Sequence, residues 1–174
     1  MKIVLIGCLF LVSCATLRKA KPVDNQVPLT KENITLLNGE YEIFSTTDTK
    51  SSLDESLLFN KYWWKDSDNR CSYTLTLKAL DKQRLQVGVY KSGDLIKSKK
   101  IHYKIRHGAL RFNRIMFKSI VIVNVCGAMH TRLRVNTAGE LIIDHSHSSM
   151  GGFLIIPSAG ENIKEEGIVF QKRR

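Results

Sequence analysis

Two histidines two positions apart, His145 and His147, form the pair in this chain best spaced for metal chemistry. Alternate side chains on a strand share a face, so both imidazoles would point the same way. Zinc uses such a geometry in some enzymes, where neutral ring nitrogens fill part of a set of three or four protein ligands. A third ligand would have to come from His130, His102 or His107, or from Asp144 if a bulge turned it inward. The simpler reading makes His145-Ser146-His147-Ser148-Ser149 a polar strand end running into a loop, with no metal. Ser148 and Ser149 neighbour the histidines, yet no Gly-x-Ser-x-Gly elbow is present to activate them. Cys71 and Cys126 would each need an adjacent base to act as nucleophiles. Gly151-Gly152 is no phosphate loop, because no helix opening on Lys-Ser or Lys-Thr follows; it marks a bulge, a tight bend or a close backbone approach. The expectation is a protein without catalytic residues, resident metal or cofactor, with His145 and His147 as the pair to examine.

Aromatics give the better binding candidates. Tyr62-Trp63-Trp64 can line a pocket mouth, stack on sugar rings, lie in a membrane interface or close the end of a core. Tyr41, Trp63, Trp64, Phe112 and Phe153 are the side chains expected to meet an apolar or amphiphilic ligand. Ile120 to Val125 is apolar on both faces, which fits a covered strand or a docking surface.

The elements that must hold these residues are strands. From Leu37 onward apolar residues recur with period two, punctuated by turn residues. Cys71, Tyr73, Leu75 and Leu77 share one face; Leu85, Val87 and Val89 repeat the pattern. Ser92-Gly93-Asp94 turns the chain, Ile101, Tyr103 and Ile105 alternate with Lys100, His102, Lys104 and Arg106, and His107-Gly108 turns it again. Leu110 and Phe112, Leu133 and Val135, then Leu141 and Ile143 continue the series, with Asn136 to Gly139 as a further turn. Nine or ten antiparallel strands at this spacing indicate an all-β fold, either an up-and-down barrel or a barrel-like sandwich. One helix is expected, where Ser52 and Glu55 make a capping box ahead of Leu53, Leu57, Leu58 and Tyr62.

Before the strands lies a different kind of sequence. Met1-Lys2 opens on a charge, and Ile3 to Val12 is an unbroken apolar run, long enough for an export signal and short of the ~20 residues that span a bilayer. Ala15 to about Leu36 is polar and proline-punctuated, with Arg18, Lys19 and Lys21 beside the signal; it reads as a flexible tether. The boundaries are therefore 1–13, 14–36 and 37–174. The formal charge is +11, a field that attracts anionic partners and keeps a domain soluble. Nucleic acid fits an exported chain poorly; an anionic envelope component or an acidic protein surface fits better. Cys71 and Cys126 would face an oxidising compartment. They form either a bridge, stabilising by roughly 4 kcal/mol in the chain-entropy model, or two buried thiols.

Leu11-Val12-Ser13-Cys14 resembles the lipobox of bacterial lipoproteins. The resemblance implies signal cleavage before Cys14, a diacylglycerol on its sulfur and a third acyl chain on its amine. At about 0.8 kcal/mol per buried methylene, two or three chains hold firmly. Ala15 rather than Asp after the cysteine implies passage to the outer membrane, with the domain facing the periplasm. From Leu37-Asn38-Gly39-Glu40-Tyr41, the hairpin series, Gly139 to Asp144 and Gly151 to Pro157, the chain is similar to lipocalin-like domains of small Gram-negative lipoproteins, although Tyr41 stands where lipocalins carry tryptophan. The function expected is a membrane-anchored, non-enzymatic binding module that holds an apolar ligand or docks on an envelope component. Two alternatives stand beside it: a structural or inhibitory accessory acting through its basic surface, and a zinc-dependent periplasmic hydrolase built on His145 and His147.

Overall fold

The computed structural model describes residues 25–47, 57, 72–81, 83–120, 123–153, 156–157 and 160–173, with side chains except at 116–120, 123–125, 152–153, 156–157 and 161. Among these residues run eleven strands: β1 (Gln26–Val27), β2 (Gly39–Glu42), β3 (Tyr73–Ala79), β4 (Arg84–Lys91), β5 (Asp94–His102), β6 (Lys104–Arg106), β7 (Ala109–Ile120), β8 (Val123–Asn136), β9 (Leu141–Phe153), β10 (Ile156–Pro157) and β11 (Glu161–Phe170). The fold is all-β and antiparallel. One sheet has the order β2-β3-β4-β5; the other runs β6-β7-β8-β9-β10, with β1 against β8 and β11 against β9.

The chain forms two compact units. One comprises Pro22–Phe112, Arg132–Ile143 and Gly167–Arg174; the other includes Asn113–Thr131 and Asp144–Glu166. β7, β8, β9 and β11 supply residues to both.

In the first unit, period-two alternation becomes a sandwich core. Leu75 pairs with Val89 and Leu77 with Val87 across β3 and β4, while Tyr41 of β2 stands opposite Leu75. Their inner faces pack with Leu110, Phe112, Leu133, Val135, Leu141, Ile143, Ile168 and Phe170 from the other sheet in one buried cluster. Each fully buried aliphatic side chain contributes roughly 1.5–3 kcal/mol. Tyr41 carries a polar atom into that core and satisfies it there, its hydroxyl donating to the Leu37 carbonyl at 3.0 Å. Burial pushes its pKa up to about 12.

The two sheets meet along both borders, which makes the sandwich barrel-like without closing it. On one side, β5 ends the first sheet and β6 ends the second. They are one run of chain bent at Tyr103, whose amide donates to the Gln83 carbonyl at 2.9 Å and whose hydroxyl donates to the Asp81 carbonyl at 2.8 Å. On the other side, Tyr41 bridges Lys172. There Glu42 N–H donates to Gln171 O at 2.9 Å and Arg173 N–H to Glu40 O at 2.8 Å.

Turns fall where the sequence places them. Ser92 (φ 50) with Gly93 (φ 92), and His107 (φ 53) with Gly108 (φ 67), take positive φ at both central positions. That is the type I′ pattern of two-residue hairpins, whose twist matches the flanking strands.

Two expectations are corrected. Residues 25–36, read as flexible tether, are part of the fold: β1 pairs Gln26 with Asn136 and Val27 with Val135. Leu29 and Ile34 enter the core, so this stretch buries enough apolar surface to offset its ordering entropy. The apolar run Ile120 to Val125 is divided between two strands, because β7, which includes Ile120, and β8, which includes Val123, are neighbours in the sheet; residues 121–122 lie outside the described residues. Of the expected helix, Leu57 is described; it is helical and fully buried, and the remainder lies outside the described residues.

Leu75→Ala should lower unfolding free energy by about 2–5 kcal/mol, as cavities in close-packed cores do, whereas Leu95→Ser, at an exposed position, should change it by less than about 0.5 kcal/mol. Urea midpoints measured side by side check both. Tyr41→Phe strands the Leu37 carbonyl and should cost about 1–3 kcal/mol.

Candidate functional site

The candidate site lies in the second unit, where β8 and β9 run side by side. His145 and His147 occupy alternate positions of β9, as the strand reading requires. His145 is buried, 7% exposed, while His147 is half-buried. The His145 Nδ1 and the Thr131 hydroxyl of β8 are 3.1 Å apart, so one hydroxyl fixes the ring orientation. His130 of β8 is half-buried, and its Nε2 is buried with no hydrogen-bond partner among the described residues.

Two glycines lie close to this packing, and one of them, Gly160, leaves no room for a side chain. A Cβ at Gly127 would lie 3.5 Å from His147 Nε2 and 3.4 Å from the Ser148 carbonyl. At Gly160 a Cβ would run into the Ser149 carbonyl. A side chain at Gly160 would therefore push the neighbouring backbone away.

The electrostatics follow from burial. Desolvation first, then the cationic forms of His147 and His130, bring the His145 pKa down to about 4. Desolvation also lowers His130. At neutral pH His145 is an uncharged imidazole. Such a ring is a very weak proton acceptor, poorly suited to general-base work near pH 7. Ser146 and Ser148 are buried and alternate with the histidines, so they project to the opposite face of β9.

A metal centre needs more than this pair. Among the described residues no group of three or more His, Cys, Asp or Glu side chains is arranged to hold a metal ion. Asp144 is fully buried at the alternating position beside His145. His102 and His107 belong to the first unit.

The expected ligand-contact residues divide. Tyr41 and Phe112 lie in the first unit's core, 0% and 5% exposed. Phe153 pairs with Ile156 at the β9–β10 hairpin, and its side chain lies outside the described set. Trp63, Trp64, Cys14 and Cys71 lie outside the described residues; Cys126 is half-buried in β8. Spacing along the chain offers His130 as one possible neighbour of His145 and His147, but gives no sign of Thr131 or Gly127 as parts of the same arrangement. Only the β8–β9 hairpin brings them together, and Asn136 to Glu140, where Gly139 N–H donates to Asn136 O at 3.0 Å, was the available signal for it.

A buried neutral histidine makes stability depend on pH with a definite sign. An unfolded histidine takes up its proton near pH 6.5, the folded one near 4. The contribution is therefore whole above about pH 6.5 and is lost as pH falls toward about 4, a total of about 3 kcal/mol. Urea midpoints recorded between pH 7.5 and 4 should fall accordingly, and His145→Asn should flatten that fall. Comparison with known protein families, curated proteins and solved structures finds no match for this chain.

Proposed function

We propose that the chain is a lipid-anchored binding module of the bacterial cell envelope, without chemistry of its own, that docks on an envelope component. The observation carrying this reading is the N-terminal pattern: the apolar run Ile3 to Val12 ending in Leu11-Val12-Ser13-Cys14. Acyl chains on Cys14 would hold the domain at the membrane, and the basic cluster Arg18, Lys19 and Lys21 would add about 1 kcal/mol per charge beside anionic lipid.

Docking is favoured over enclosure of an apolar ligand by the state of the core. Two of the five aromatics expected to touch such a ligand, Tyr41 and Phe112, are already packed among aliphatic side chains. The strand carrying Lys100, Lys104 and Arg106, by contrast, displays them to solvent. A cationic surface on a chain of net charge +11 favours an anionic partner and speeds encounter with it.

Metabolic labelling with an alkyne-bearing palmitate in a Gram-negative host, followed by mass analysis of the mature N-terminus, tests the reading. The expected product begins at acylated Cys14 and leaves the membrane fraction when Cys14→Ser is introduced. A mature chain with a bare thiol, or with Met1 to Ser13 retained, overturns it.

A further inference from the structure

The run from Asp94 to Arg106 is the border strand of both sheets, because β5 pairs with β4 alone and β6 with β7 alone among the described residues. Its hydrogen-bonding direction can be assigned. Tyr103 N–H donates to Gln83 O, and Ile101, Lys99 and Lys97 stand opposite Leu85, Val87 and Val89. Antiparallel pairing alternates residue by residue, so the N–H and C=O groups of Ser98, Lys100 and His102 point away from β4. They form an open row of donors and acceptors of the kind that accepts an added strand.

Side chains along this row follow the same period. Lys100, His102, Lys104 and Arg106 take alternate positions and all four are exposed. Successive members of such a row are roughly 6.6 Å apart in extended chain. The other face of the strand carries Lys97 and Lys99, half-buried opposite Val89 and Val87. Inward-directed lysines on a border strand oppose pairing with a second copy of the same strand, since each would face its like. The outward row is additional to that protection and has the opposite effect on an anionic strand.

We propose that the β5–β6 border is a docking strand for an extended acidic polypeptide segment, which adds to the sheet beside Ser98, Lys100 and His102. Main-chain hydrogen bonds supply the affinity and alternating carboxylates supply the choice of partner. A strand paired here places every second side chain about 4.5–5.5 Å from the Cβ of Lys100 or His102. An acidic residue of the partner opposite Lys100 therefore meets its ammonium group, with Lys104 next along the run adding to the field, and a chain with lysine or arginine there is repelled. The proposal deepens the docking reading given above and rests on it for the setting in the envelope, whereas the geometry of the border is independent of the anchor.

The test uses the full chain in neutral detergent and a fluorescent octapeptide alternating glutamate and threonine, read by anisotropy. The peptide should bind, and binding should weaken several-fold as salt is raised through the physiological range. Lys100→Glu and Lys104→Glu should each weaken binding at least ~10-fold, with Lys100→Gln intermediate and circular dichroism unchanged for all three. N-methylation of alternate peptide amides, which keeps the charge and removes the strand hydrogen bonds, should abolish binding. Equal binding of the methylated peptide overturns the proposal, as does the absence of binding by the wild type. Displacement of the peptide by phosphatidylglycerol vesicles or polyphosphate at matched charge, as readily as by unlabelled peptide, also overturns it, because the border would then be a site for any polyanion. Cys14→Ser should bind the peptide as the wild type does, so failure of the anchor and failure of the docking strand are read separately.

Discussion

One stretch of backbone, Asp94 to Arg106, has to serve two sheets, and the sandwich depends on how it bends. Its first part is committed to β4 and its last three residues to β7. The change of sheet occurs at Tyr103, whose ring is buried while its amide and hydroxyl both bond to the loop before β4. That loop is itself braced: the Asp81 carboxylate accepts the amides of Gln83 and Arg84 at 2.9 and 2.8 Å. The Gln83 amide first, then the Arg84 side chain, hold its pKa below the usual carboxylate range. Bent strands of this kind are how two sheets share a corner without abandoning backbone hydrogen bonds.

The opposite border solves the same problem with fewer residues. A bridge between Tyr41 and Lys172, flanked by the Glu42–Gln171 and Arg173–Glu40 bonds, joins the sheets there. Lys172 also lies over the Tyr41 ring, 5.8 Å from its centre. With one border stitched by a shared strand and the other by a short ladder, the apolar inner faces are enclosed. That β5 has β4 as its one strand neighbour among the described residues is a consequence of the first arrangement, since the run passes to the second sheet after Tyr103.

Much of this was legible from alternation. Leu75, Leu77, Leu85, Val87, Val89, Leu110, Phe112, Leu133, Val135, Leu141 and Ile143 all reach the core that their period-two spacing implied, because a half-buried strand can hide only alternate side chains. Ser92-Gly93 and His107-Gly108 were legible for a different reason: few residue pairs tolerate positive φ twice in succession. What alternation could not give was the break between Ile120 and Val123. An apolar run has no phase there, and no Gly, Pro, Asn or Asp occurs between Ile120 and Val123. Nor could it show that Leu29 and Ile34 leave the polar stretch before β2 for the core, as isolated apolar residues carry no period at all. In the histidine site, the same-face placement of His145 and His147 was local and readable. The Thr131 contact and the proximity of His130 depend on pairing between strands, which spacing along one strand does not encode.

The strength of the docking strand has to be judged against its size. Three outward-facing residues offer a handful of main-chain hydrogen bonds, each contributing about 0.5–1.5 kcal/mol net, and exposed ion pairs along the cationic row add about 0–1 kcal/mol each. After the loss of translational freedom, such a border captures a free peptide only weakly. If the chain is anchored as proposed, a partner held to the same membrane would change the arithmetic, because a short tether would present it at an effective concentration in the millimolar range. Weak strand addition is then sufficient, and reversal is rapid. Under the proposed reading the anchor and the border would be coupled in function while independent in structure: acylation at Cys14 would supply concentration, and the row of Ser98, Lys100 and His102 would supply discrimination.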